Sequence, residues 1–169
     1  MDMNDVLKML MASDTVGQVS EQTGITQEQA LNAMEVVLPL LLKGMKGQAS
    51  NKSTQKGFLE ALEAHSKEDT SDVKKAIKKV DTEDGAKIVK HLLGEAQEEA
   101  AAKAKKKSGL DTKTILKIMA ILAPILMSQM GKNAKTKKAS AGAGQGLVEG
   151  ILSNIDAADV VKIIGMLVK

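Results

Sequence analysis

Pro39 and Pro124 are the only prolines in the chain, and each stands in the middle of a long apolar stretch. The first stretch leaves the turn-like Thr23, Gly24, Ile25 and Thr26 and continues through Ala30, Leu31, Met34, Val37 and Leu38 to Leu42 and Met45. The second leaves Ser108, Gly109, Leu110 and Asp111 and continues through Ile115, Leu116, Ile118, Met119 and Leu122 to Met127 and Met130. Shifted by 85 residues (109 − 24), Gly24/Gly109, Leu31/Leu116, Met34/Met119, Pro39/Pro124, Leu41/Leu126 and Met45/Met130 coincide. This register predicts an internal repeat, with a period too long for a solenoid. Helices that are apolar around most of their circumference are expected to be buried. Proline inside a helix removes a backbone donor, and its ring meets the carbonyl four residues back, so a kink is expected near Leu38.

The remaining apolar residues recur at helical rather than strand spacing, and sustained period-2 alternation is missing throughout. The expected fold is all-α: a multihelical orthogonal bundle with two related helical repeats, each containing a proline-kinked buried helix. Punctuation residues divide it into a first repeat (1–49), a helical insertion (50–80), a second repeat (81–131), a flexible basic linker (132–145) and a C-terminal helical pair (146–169). Thr26 with Gln29 three positions on is a capping-box pattern, and Gly44 and Gly47 offer stops for the first long helix. Asp81 should cap a helix that ends at Gly94. The segment 95–107 has acids first and lysines last, with alanine as its only apolar material, which predicts a surface helix. Asp111 should cap the second long helix and Gly131 should end it.

Phe58 is the only aromatic residue, so the core must be built from aliphatic side chains and from some of the ten methionines. Cysteine is absent, which removes disulfides, thiolate chemistry and cysteine metal sites. The acidic start lacks the basic region of a secretory signal. The longest unbroken apolar run, 118–127, is ten residues, against about 20 for a spanning helix. A soluble cytoplasmic protein without a membrane span is expected. All 24 basic residues are lysine, in a chain of net charge +3. Without the arginine fork, specific reading of phosphate or guanine is disfavoured.

Three stretches carry a family likeness. They are Asp84-Gly85 with Ile88 to Gly94, then Ser108-Gly109-Leu110-Asp111, then Leu122-Ala123-Pro124-Ile125-Leu126-Met127. Together they resemble the bacterial YidB-like family of uncharacterised proteins. Thr23-Gly24-Ile25-Thr26 with Leu38-Pro39-Leu40-Leu41-Leu42 is similar to the N-terminal half of that family. The likeness covers most of the chain outside about 53–80. It implies a multihelical bacterial cytoplasmic domain and carries over no activity, cofactor or catalytic residue.

Several motifs invite a functional reading. Residues 15–26 followed by a helix look like a helix-turn-helix, or like the N-terminal hairpin of histone-like proteins. The reading face would offer Gln27, Glu28, Asn32 and Glu35, with no basic residue before Lys43, so a buried structural hairpin is preferred. Lys103, Lys105, Lys106 and Lys107 precede the second long helix, and Lys132, Lys135, Lys137 and Lys138 follow it. They are the candidate site for a polyanion or an anionic surface, weighed against solvated helix ends. His65 and His91 stand apart from each other and from any zinc-helix spacing. Ser140 lacks a nucleophile-elbow context, and Gly142, Gly144 and Gly146 miss the dinucleotide spacing. Glu83-Asp84 and Glu98-Glu99 have structural work as first-turn acids.

No metal or cofactor is expected, and no constellation supports an enzyme. The expected function is a non-enzymatic helical scaffold or interaction module, with an unknown protein partner or self-association. Weak nonspecific binding of nucleic acid or an anionic surface through the lysine-rich 103–138 region is the alternative. A carrier of a small apolar ligand between the long helices is a third reading.

Overall fold

The computed structural model describes residues 3–141, with side chains from Asp5 to Lys132. Eight helices and no strand lie among them: α1 (Met3–Met11), α2 (Ser13–Thr23), α3 (Gln27–Ser50), α4 (Gln55–His65), α5 (Val73–Lys79), α6 (Thr82–Leu93), α7 (Ala96–Ser108) and α8 (Thr112–Ala141). The expected C-terminal pair, 146–169, lies outside the described residues.

Two long helices hold the molecule together. α8 packs against α6, α4, α3, α7, α2 and α5, while α3 takes α7, α2, α6 and α4. Each is entered through the same local geometry. Gly24 closes α2 in the left-handed region (φ 71), and Gly109 closes α7 in the same region (φ 74). Glycine accepts this conformation without the penalty a Cβ brings. Two residues later the next helix is capped. The Thr26 hydroxyl accepts from the Gln29 N–H while the Gln29 side chain accepts from the Thr26 N–H. The Asp111 carboxylate accepts from the Thr114 N–H at 2.7 Å. Both prolines lie inside their helices, which continue past them.

The core is a single aliphatic cluster. Met34, Leu38, Leu41, Leu42 and Met45 of α3 meet Ile115, Ile118, Met119, Leu122 and Leu126 of α8 within it. By length and composition, Thr112–Lys132 is also apolar enough to cross a membrane, because alanines and single polar residues extend the ten-residue run. Within the fold that stretch is the buried spine.

Three sequence expectations are corrected. α3 does not stop at Gly44 or Gly47, and α8 does not stop at Gly131 but continues to Ala141, so most of the expected linker 132–145 is helical. Two of these glycines are crossing points rather than terminators. A Cβ on Gly44 would stand 2.7 Å from the Leu92 carbonyl oxygen of α6, and one on Gly131 would stand 2.2 Å from that of Leu62 in α4. Their missing side chains let helix backbones approach. The third correction concerns α7, whose Ala100, Ala101 and Ala104 are buried. Small side chains let α7 lie close against α3, so alanine alone sufficed for a core face.

Candidate functional site

The candidate lysines fall on two elements, α7 and the far end of α8. Lys103, Lys105, Lys106 and Lys107 are exposed in the last turns of α7, beside the start of α8. Lys103 pairs with Glu99 at 3.3 Å. Lys107 crosses to α3 and pairs with the Glu35 carboxylate, which is only 10% exposed. Lys105 is close enough to Asp111 to help lower the pKa of that carboxyl. Lys135, Lys137 and Lys138 belong to the far end of α8. At 1.5 Å per residue they stand about 35 Å along the axis from its first turn. Lys132 is not part of either group: its Nζ turns inward and donates to the Thr70 hydroxyl at 3.0 Å.

The helix-turn-helix candidate is closed as well. Of the residues on the reading face, Asn32 and Glu35 are half-buried and only Gln27 and Glu28 at the start of α3 are exposed, which leaves little face for a DNA groove.

Two other features arise from how the helices pack. His65, at the end of α4, brings its Nδ1 to 2.8 Å from Glu68, and its Nε2 stands 3.9 Å from Asp84 of α6. Beside it a cleft of about 410 Å³ opens over Pro124 and Ile125, with Asp69, Asp72, Asp81, Asp84, Lys75 and Lys79 around it. Its carboxylates are committed locally. Asp72 caps α5 and Asp81 caps α6. Asp69 accepts from the Ser71 hydroxyl and N–H, and these bonds hold its carboxyl below the ordinary value. No group of three His, Cys, Asp or Glu side chains is placed to hold a metal among the described residues.

The second feature is an apolar groove of about 360 Å³ between the end of α3, α4 and α6. Phe58, Ile88, Leu92 and Met127 line its floor, and Gln48, Thr54 and His91 its rim. The rim is already hydrogen-bonded to itself: Gln48 donates to the His91 carbonyl at 2.9 Å, and Thr54 donates to the Gln48 carbonyl at 2.9 Å. The floor offers an occupant apolar contact, while His91 and Ser53 also line the groove. The lone aromatic residue was the one available signal for it.

A family model for bacterial proteins of unknown function, DUF937, matches residues 5–133. The chain belongs to DUF937. The matched DUF937 residues run from α1 into α8 and take in both proline-marked helices and the groove. This agrees with the YidB-like resemblance of the sequence. No curated protein and no solved structure matches the chain.

Proposed function

We propose that this DUF937 protein is a non-enzymatic helical scaffold or protein-interaction module of the bacterial cytoplasm. The observation that carries the reading is the groove of Phe58, Ile88, Leu92 and Met127, whose rim is hydrogen-bonded to itself. Pockets for polar metabolites hold convergent unpaired polar groups, whereas helix-binding grooves present apolar floors. The carboxylates best placed for chemistry are occupied as caps and turn acceptors, which also favours a structural reading.

The same reading includes a duplicated helical unit as its framework. Support comes from the matched glycine and cap geometry at 24–29 and 109–114. Equivalent residues also share burial: Met34/Met119, Leu41/Leu126 and Met45/Met130 are all buried.

Affinity capture from the native host, with nuclease treatment, tests the module reading. The expected result is a partner protein that survives nuclease and is lost when Ala61→Glu places a charge at the groove. Retention that disappears with nuclease would favour the polyanion alternative through the lysines of 103–138.

A further inference from the structure

We infer that the groove takes a basic amphipathic helix of a partner protein, with an apolar residue on the floor of Phe58, Ile88 and Met127 and a lysine or arginine about two turns further on. The inference rests on the module reading of the groove and adds the charge of its occupant. α4 and α6 both pack on α8, and they run in opposite directions along it. Thr54 and Gly57 at the start of α4 share the groove with His91 and Leu92 near the end of α6, whereas His65 at the end of α4 faces Asp84 at the start of α6. Residues four apart in a helix stand one above the other on the same face. His65 is therefore one turn beyond Ala61 on one wall, and Asp84 one turn beyond Ile88 on the other. Beneath them α8 continues as the floor, from Met127 to Ile125 and Pro124. The apolar groove and the charged cleft beside His65 are thus successive hollows along one line over α8.

The second hollow sets the sign of the charge. Glu68, Asp69, Asp72, Asp81 and Asp84 surround it against Lys75 and Lys79, five carboxylates to two ammonium groups. Capping and turn bonds use lone pairs of these carboxylates but leave their charge in place. The residues lining the groove include neither lysine nor carboxylate. From Ile88 back to Asp81 is seven residues, or about 10 Å at 1.5 Å per residue. A helix anchored over Ile88 and lying along α6 brings the residue seven positions on to Asp81 and Asp84. A cation there meets an excess of negative charge, whereas an acidic helix or a nucleic-acid backbone is repelled.

The probes are three fluorescent, alanine-based helical peptides, each with two leucines four positions apart. About two turns beyond the leucines they carry two lysines, two glutamines or two glutamates. Fluorescence anisotropy with the full chain at low salt reads their affinities. The lysine peptide should bind about tenfold more tightly than the glutamate peptide, with the glutamine peptide between them. In high salt that ratio should fall about threefold as screening shortens the interaction. In Glu68→Gln/Asp84→Asn the lysine and glutamate peptides should come within about twofold of each other, with the glutamine peptide unchanged. Equal binding of all three that is lost in Ala61→Glu would overturn the basic occupant while the groove itself stands. Binding of the glutamine peptide that survives Ala61→Glu, or no binding by any peptide, would overturn the groove reading together with this inference.

Discussion

Gly85 of α6 lies against Ala120 of α8 so closely that a Cβ on the glycine would stand 1.9 Å from the alanine carbonyl oxygen. Backbone meets backbone at that point, and neither partner is a flexible side-chain end that could move aside. With Gly44 on Leu92 and Gly131 on Leu62, it makes three crossings at which hydrogen is the largest side chain accommodated.

Gly85→Ala and Gly131→Ala should each destabilise the fold by about 2–3 kcal/mol, as overpacking does. Gly47→Ala should do the opposite. It lies inside α3 with nothing within 4 Å of the added carbon, so a gain of about 0.5–1 kcal/mol is expected. Urea titrations of the three variants give the comparison; equal losses for all three would contradict the crossing geometry.

Leu41 and Leu126 are 0% and 1% exposed, in the centre of α3 and α8. Leu41→Lys and Leu126→Lys should each prevent folding, because a buried unpaired charge costs several kcal/mol. Pro39→Ala should leave the helical content intact. Far-ultraviolet circular dichroism with a thermal melt checks all three, and a native-like melt in either lysine variant would be incompatible with this core.

Thr70 secures the 66–72 connection to α8. Its hydroxyl accepts from Gln129 at 2.7 Å and from Lys132 at 3.0 Å, and lies 3.1 Å from the Ser128 hydroxyl. Thr70→Val keeps the shape and removes the hydroxyl, leaving the buried Gln129 amide with only the backbone carbonyl of residue 70 at 3.2 Å, at a cost of about 1–3 kcal/mol. Thr70→Ser should retain most of the stability. Chemical denaturation of the pair separates the hydroxyl from the methyl.

The Asp111 cap makes α8 sensitive to acid. Hydrogen bonds from the Thr114 hydroxyl and N–H hold its carboxyl below the ordinary 3.8. A carboxyl lowered on folding contributes stability above its unfolded value, and the contribution fades as pH falls through the folded one. Asp111→Asn can still cap but cannot titrate, so its stability should fall less between pH 4 and pH 2. Melts across that range decide the matter.

Local rules made the helix entrances readable. Thr26 with Gln29, Asp81, Asp111, Gly24, Gly94 and Gly109 all act where their residue types suggest, because capping is settled by neighbours in the chain. Gly44 and Gly131 were misleading for the converse reason: whether a glycine stops a helix or admits a neighbour depends on Leu92 and Leu62, far away in sequence. The alanine face of α7 was hidden likewise, since its burial depends on how near α3 can come. At the candidate site, the polar character of Lys132 and Thr70 concealed an inward contact, and only Phe58 hinted at the groove.

α8 is the last helix described, yet it supplies the wall against which α2, α4, α5 and α6 close. While the ribosome is still making the first hundred residues, those earlier helices can settle on α3 but not on this wall. The native arrangement is completed only when the spine emerges, and until then the faces that α4, α5 and α6 turn toward α8 stay open to the cell.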